Sequence, residues 1–302
     1  MVEDGVDGRR DEALRAVAAE RRQLTNVAYR LLGSLADAED VVQEAYARWY
    51  AMAPRRRAEV AAPGGWLTTV VGRICLDLLG SARVRRERYV GEWLPEPVPG
   101  DGAGRGPDGD PADRITLDES VHMAFLVVLE SMTPAERVAF VLHDVFGYPF
   151  PEVAEVVGRS AAACRQLAAS GRRRVREARP AVAPARGQGA LVREFKRAWE
   201  AKDVRSLVAL LDPDATVVAD GGGLVGALLE PLAGGERIAR ALASFTGGPA
   251  GTVLLECPVN GLPGLVAQLD GVTESVFAFH AAGGRITHVW VVRNPEKLRP
   301  WQ

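Results

Sequence analysis

The sequence predicts two architectures in tandem, an all-helical first half and an α+β second half. Three observations carry this. Up to about residue 178 apolar residues recur at helical spacing, as in Leu14, Val17, Ala18, Leu24, Val27, Ala28 and Leu31. Beyond residue 211 they gather into short strand-like runs: "ATVVAD", "TVLLECPVN", "GLVAQLDG", "ESVFAFHAAGG" and "RITHVWVVRN". Two stretches rich in Pro and Gly, 91–114 and 179–189, interrupt the pattern and read as linkers. At 302 residues the chain is long enough for about two domains.

The first helix is expected over 11–33, with Gly33 as its stop. Ser34 to Asp37 start a second, "DAEDVVQEAYARWY", whose early carboxylates suit the positive end of a helix dipole. Pro54 and Arg55–Arg57 break the pattern, and a third helix runs from about Gly65 to Tyr89. Four helical segments follow, at 115–131, 134–146, 150–157 and 160–178. In the second half, helices at 190–201, 203–211 and near 234–246 accompany the strands. Gly283-Gly284, between the last two strands, signals a tight hairpin.

Composition is that of an ordinary soluble protein, with 47% apolar and 25% charged residues and a net charge of −2. Residues 1–180 hold 25 Arg and no Lys against 27 Asp and Glu, and residues 181–302 hold 12 basic and 12 acidic groups. Any nucleic-acid footprint must therefore consist of local patches. Cys75, Cys164 and Cys257 are scattered, with no CxxC pair or Cys/His cluster, so neither a zinc site nor a disulfide framework is implied, and no cofactor or metal is expected. The N-terminal residues are acidic and polar, without an apolar signal core. No run approaches the ~18–20 apolar residues of a membrane span. A cytoplasmic protein without a membrane partner is the expectation.

Residues 153–179 carry the pattern of a helix-turn-helix. Val153, Val157, Cys164 and Leu167 take its apolar positions, Ala154 allows close approach, Gly158 allows the turn and Ser160 can cap the second helix. Ala161, Ala162, Arg165 and Gln166 would face base edges, with the capping Ser160 beside them, while Arg172, Arg173, Arg174 and Arg176 would lie near phosphates. Two core helices ending in a solvated basic tail would give the same pattern. A second basic surface shifts the balance: Arg73, Arg83, Arg85, Arg86 and Arg88 on the 65–89 helix, with Arg55, Arg56 and Arg57 upstream. Two basic modules joined by a linker suit a protein that reads two spaced DNA elements. By contrast Asp37, Glu39, Asp40 and Glu44 form an acidic face, poor for DNA and good for a basic protein.

The segments "AYRLLGSLADAEDVVQEAYARW" (28–49), "WLTTVVGRICLDLLGSARVRRERYV" (66–90) and "LVVLESMTPAERVAFVLHDVFGYPFPEVAEVVGRSAAACRQLA" (126–168) resemble regions 2 and 4 of bacterial extracytoplasmic-function sigma factors. "EWLPEP" (92–97), "DGGG" (220–223) and "NPEKL" (294–298) further resemble the subgroup with a SnoaL-like C-terminal extension. The resemblance implies region 2 at 11–90, a linker at 91–114, region 4 at 115–179, a second linker at 180–189 and a regulatory α+β domain at 190–302. It implies that this last domain is a SnoaL-like cone, a curved sheet wrapped by helices around a cavity. The protein would then be an alternative sigma factor, not an enzyme, with core RNA polymerase (its β and β′ subunits) and promoter DNA as partners. Asp37, Glu39, Asp40, Gln43 and Glu44 would dock on β′. The loop at 52–65 and the helix that follows, with Arg55, Arg56, Arg57, Trp66, Arg73, Asp77, Arg83, Arg85 and Arg86, would capture the unpaired −10 strand. Arg165 and its neighbours would read the −35 element.

The fused domain would regulate in cis, so that no separate anti-sigma factor is required. Trp93, Leu94, Pro95, Glu96 and Pro97 stand in an otherwise polar linker and are expected to dock near Asp220, Gly221, Gly222 and Gly223 and near Asn294, Pro295, Glu296, Lys297 and Leu298. The bland alternative is that Trp93 covers the end of the 66–89 helix. Three departures from the family pattern stand out: Leu78 and Gly80 where relatives carry basic residues, Ser170-Gly171 where they carry Arg-Ala, and Leu224 where the subgroup carries lysine. They suggest weaker promoter contacts and the loss of one charge contact. The rival functions for the second half are a small-molecule sensor, its ligand unknown, and an enzyme using Asp220, His280 and His288. Structural histidines are the commoner explanation for His280 and His288, and Asp220 before three glycines reads as a turn cap, so the sensor is the stronger of the two rivals.

Overall fold

The structure, a computed structural model, describes residues 20–86, 89–100, 122–178, 187–244 and 251–302, with only the backbone for 82–86. Its helices in chain order are α1 (20–32), α2 (Leu35–Ala51), α3 (Pro54–Glu59), α4 (Pro63–Arg86), α5 (Met123–Glu130), α6 (Pro134–Phe140), α7 (Phe150–Val157), α8 (Ala161–Glu177), α9 (Gln188–Glu200), α10 (Val204–Leu210) and α11 (Gly235–Ser244). The strands are β1 (Leu211–Asp220), β2 (Leu232–Ala233), β3 (Thr252–Val259), β4 (Leu262–Leu269), β5 (Val272–Ala282) and β6 (Arg285–Val292). The chain forms two compact units. Among the described residues, the first takes in 20–82 and Met132–Arg172, and the second takes in those of 83–100, 122–131 and 173–302.

Helix boundaries in the first unit follow local chemistry. The Ser34 hydroxyl accepts from the Asp37 N–H at 3.2 Å and starts α2, whose Ala38, Val41, Val42 and Ala45 form the buried stripe. Residues 54–59, expected only as an interruption, form the short helix α3. Pro54 opens it because its φ is already helical and it has no N–H to leave unsatisfied. Thr133 and Glu136 make a reciprocal capping box for α6. The segment expected as one helix over 134–146 instead widens into a π-helical turn at Val141–Val145. Gly158, at φ +70°, ends α7 in the left-handed conformation that leads into α8.

The second unit is built on one open six-stranded sheet, in the order β2-β1-β6-β5-β4-β3. β1 and β6 run parallel and the other neighbours antiparallel. Gly283 and Gly284, at φ +59° and +79°, make the turn between β5 and β6. Val192, Phe195, Trp199, Leu207 and Ile238 from α9–α11 pack on one face, against Phe277, Phe279, Val289 and Val291. Edge-to-face ring contacts at 5.3 Å (Phe195–Phe279) and 5.2 Å (Trp199–Phe277) fill the space between helices and sheet. The opposite face presents Val276, Ala278, Trp290 and Val292 and is covered by Leu94, Met123, Ala124, Leu298 and Trp301. Burial on both faces explains why β5 reads as a nearly continuous apolar run rather than an alternating one.

The expected cone is therefore corrected: the sheet does not curl closed around a cavity. Closure requires the outer strands to approach one another, yet β2 is two residues long and among the described residues pairs with β1 alone, while β3 lies at the far edge. Composition also misled for the linker. Residues 94–98 are buried against the sheet, and only its polar remainder from 101 onward lies outside the described residues.

Candidate functional site

The segment 89–98 is held to the end of β1 by one carboxylate. Asp220 is fully buried and accepts four hydrogen bonds: from the Tyr89 hydroxyl (2.6 Å), the Leu94 N–H (2.9 Å), the Gly222 N–H (3.0 Å) and Lys297 Nζ (2.6 Å). Lys297 also donates to the Leu94 carbonyl, and its ammonium lies 4.0 Å from the centre of the Trp93 ring. Asn294 Nδ2 donates to the Tyr89 oxygen at 2.9 Å, and burial together with the Asp220 contact pushes the Tyr89 phenol far above its ordinary range. Trp301 Nε1 donates to the Pro97 carbonyl at 2.8 Å. Pro95, Glu96 and Pro97 are buried beside it.

The three glycines after Asp220 are steric requirements. A Cβ on Gly221 would stand 2.4 Å from the Val225 carbonyl oxygen, and one on Gly222 2.5 Å from the Asn294 amide. Gly222 and Gly223 take φ of +66° and +70°. Pro295 and Glu296 form the turn that swings Lys297 back: the Glu296 N–H reaches Asn294 Oδ1 at 3.0 Å. Leu298 is buried against the sheet. Leu224, in place of the subgroup's lysine, is exposed and in this structure contributes no charge.

The acidic group is arrayed on α2. Asp37, Asp40, Gln43 and Glu44 are exposed, Glu39 is half-buried, and Glu44 pairs with Arg48 one turn on. Arg55 and Arg56 on α3 are exposed, and the Arg57 guanidinium lies 5.9 Å over the ring of Tyr50. Trp66 packs on Trp49 at 5.2 Å. On α4, Asp77 is exposed, and Arg73 donates through Nε (3.2 Å) and Nη2 (2.9 Å) to the Glu155 carbonyl of α7. The side chains of Arg83, Arg85 and Arg86 lie outside the described residues.

In the helix-turn-helix, Ser160 Oγ accepts from the Ala163 N–H at 3.2 Å and caps α8. Val153, Val157, Cys164 and Ala168 are buried, while Ala162, Arg165 and Gln166 are exposed and Ala161 is half-buried. The Arg165 guanidinium rests 5.2 Å over Phe150. Arg172 is engaged within the unit, its Nη1 on both Asp144 oxygens at 2.7 and 3.0 Å. Arg173 sits 3.9 Å from Glu177, and Arg174 follows it on the same helix. Gly171 is a packing requirement, since a Cβ there would meet Phe140 Cβ at 2.8 Å. Ser170 donates to Glu136 at 2.7 Å. The Ser170-Gly171 departure thus serves the seam between α6 and α8.

The model for sigma-70 region 2 matches residues 16–85, and the model for sigma-70 region 4 matches residues 122–175. Among curated proteins, the ECF RNA polymerase sigma factor SigJ of Mycobacterium tuberculosis is 39% identical, over 93% of this chain and 91% of its own. The chain belongs to the extracytoplasmic-function sigma factors. The probable sigma factor SigI of the same organism is 36% identical over 96% of both chains. The crystal structure of M. tuberculosis SigJ matches with a TM-score of 0.75 and 36% identity, covering 95% of this chain and 98% of that one. This sigma factor therefore carries an additional C-terminal domain beyond regions 2 and 4, and its family is one of transcription initiation factors rather than enzymes.

The matched region 4 begins in α5, and α5 is part of the second unit, with Met123 and Ala124 in the sheet's cluster. No helix among the described residues is long and apolar enough to cross a membrane. His280 and His288 of the sigma factor occupy structural positions. The His280 ring bonds Thr287 at 2.8 Å, and His288 stacks on Trp290 at 5.6 Å, with burial lowering its pKa. Sequence reading missed Tyr89, Trp301, Phe150 and the exposed Tyr50. Of these, only the aromatic spacing Tyr46, Trp49, Tyr50 left a trace in the sequence, and it reads equally well as a helix stripe.

Proposed function

We propose that this sigma factor directs promoter-specific initiation and that its C-terminal domain regulates it in cis by holding the linker between regions 2 and 4. The observation that carries the second part is the buried Asp220 carboxylate. It gathers donors from Tyr89 and Leu94, at the start and in the middle of the 89–98 segment, and from Lys297 of the C-terminal tail. A linker fastened in this way sets how far region 4 can travel from region 2. A separate anti-sigma factor is then unnecessary.

In this reading the exposed Asp37, Asp40, Gln43 and Glu44, with Glu39, meet the polymerase β′ subunit. Arg55, Arg56, Arg57, Trp66, Arg73, Asp77, Arg83, Arg85 and Arg86 address the −10 strand, with Tyr50 as an added stacking surface for an unpaired base. Ser160, Ala161, Ala162, Arg165 and Gln166 face −35 bases, and Arg172, Arg173 and Arg174 supply charge.

Trp93→Ala tests the linker. In vitro transcription with core polymerase is expected to change in the full-length protein and to stay the same in a shortened protein ending at Arg179. Equal change in both would assign Trp93 to region 2 alone. Arg165→Ala tests the orientation of α8. Competition with duplexes substituted singly in the −35 element is expected to lose about 1–3 kcal/mol of discrimination at one position. Uniform weakening with a shallower salt dependence would instead make Arg165 a phosphate contact.

A further inference from the structure

Phe150 is the first residue of α7, after the Pro149 N-cap, and its ring is half-buried. Two groups from other elements of region 4 meet that ring. The His143 imidazole stacks on it, with centroids 3.8 Å apart and an interplanar angle of 29°. The Arg165 guanidinium of α8 rests 5.2 Å from its centroid, within cation–π range. His143 is itself fixed: its Nδ1 lies 2.8 Å from the Tyr148 carbonyl oxygen, which can only accept, so Nδ1 carries the proton. His143 belongs to the π turn, where the Phe146 N–H reaches back five residues to the Val141 carbonyl at 3.2 Å. The next residue of that turn, Asp144, holds Arg172 at 2.7 Å. Two successive residues of the π turn therefore bear on two arginines of the recognition helix, one through Phe150 and one directly.

We infer that Phe150 is a positioning residue for −35 recognition: its ring, braced by His143, holds the Arg165 guanidinium where it can read a guanine edge. The inference rests on the assignment of Arg165 to −35 bases. The recognition helix as a whole is already fixed. Ser160 caps its first turn, Gly171 admits Phe140 against its later turns, and Arg172 is tied to Asp144. What such a helix leaves free is the long, exposed side chain of Arg165. That chain has many rotamers in water, and a bidentate contact with guanine O6 and N7 demands one narrow set of them. A ring beneath the guanidinium restricts where it can go. Because the ring offers no lone-pair acceptor, it also leaves the N–H groups available for a base. Arg172, by contrast, has already committed Nη1 to a carboxylate. The ordering that binding would otherwise demand of Arg165 is thus made in the free protein. Without the ring the cation remains and still attracts phosphates, so affinity persists while discrimination falls.

The test is a specificity profile. Full-length variants bound to core polymerase compete for promoter duplexes substituted singly across the −35 element, at low and at high salt. Arg165→Ala defines the position that Arg165 reads. Phe150→Leu is expected to lose at least about fivefold discrimination at that same position, while keeping the salt dependence and the thermal melt of the wild type. Phe150→Tyr, which retains the ring, is expected to keep the discrimination. In the Arg165→Ala background, Phe150→Leu is expected to change discrimination by less than about twofold, because no guanidinium is left to place. A residue that merely supported α7 would behave otherwise, since a loosened helix weakens every duplex alike. Full discrimination by Phe150→Leu at the Arg165 position overturns the inference. Uniform weakening at all positions, or a further loss in the Arg165→Ala background, overturns it too. If the leucine variant melts early, Phe150→Met carries the same readings, because its flexible side chain fills the same gap without a ring. Failure of the −35 reading shows separately, with Phe150 intact: Arg165→Ala would then weaken all duplexes equally, and the inference would fall with it.

Discussion

Asp220→Asn is expected to destabilise the second unit by about 3–5 kcal/mol and to free the linker from the sheet. The carboxylate is fully buried, and Lys297 beside it is nearly so, with 11% of its side chain exposed. Asparagine keeps the shape but removes the charge that compensates the ammonium. Its amide cannot accept from Tyr89, Leu94, Gly222 and Lys297 together. At about 2–4 °C per kcal/mol for a unit of this size, the melting temperature falls by roughly 10 °C. Partial proteolysis should then cut within 89–100, which the intact protein protects. Lys297→Met is expected to cost a similar amount, because it strands the carboxylate. The double variant should cost less than the sum of the two singles, since removing both members of a buried pair leaves no uncompensated charge. Strict additivity in thermal melts would mean that the two groups do not act as a pair. Unchanged melting for Asp220→Asn alone would remove the basis for cis regulation through the linker.

Much of the first unit was legible because its chemistry is local. Caps, stops and the helix-turn-helix are written within a few residues of where they act: Ser34 before α2, Thr133 and Glu136 on α6, Gly158 and Ser160 around the turn. The second unit was harder to read, for one physical reason. Its sheet is buried on both faces, and a strand covered on both sides does not announce what covers it. That α5 and residues 94–98 do the covering follows from Leu94, Met123 and Ala124 sharing a cluster with Trp301, contacts that span some two hundred residues of chain. The cone expected from the resemblance failed as well. The sheet stays open because β2 and β3 lie at opposite edges and β2, two residues long, is too short to carry a closing seam.

The candidate site shows the same division. The residue types around Asp220 could be singled out as motifs, but their joint purpose depends on Tyr89, which is 131 positions away from Asp220. Arg73 could be recognised as a cation on the right helix, yet nothing in its neighbours says that its guanidinium is held by the carbonyl of Glu155. Arg172 similarly reads as one more cation of a basic run, and only the structure shows its ion pair with Asp144 at 2.7 Å. Cations are easy to find in a sequence. Their partners are not, since any carbonyl in the chain can serve.

Reversing the α2 charges with Asp40→Lys and Glu44→Lys is expected to lower affinity for core polymerase at least tenfold while leaving the fold in place. Both side chains are exposed, and the apolar stripe of α2 that fastens it to its neighbours, Ala38, Val41, Val42 and Ala45, is untouched. Glu44 is paired with Arg48, so a lysine there replaces an attraction by a like-charge contact one turn apart. On an exposed helix face that costs about 0.3–0.5 kcal/mol. Loss of stability should therefore stay below about 1 kcal/mol. Against a basic protein surface the same change is far larger, because like charges brought together at an interface cost several kcal/mol and slow the encounter. The expected signature is thus a near-normal melting curve with failed capture of core polymerase, most pronounced at low salt. Capture at wild-type strength would move the polymerase contact off this face. Lost capture accompanied by a collapsed melting curve would assign the effect to folding instead.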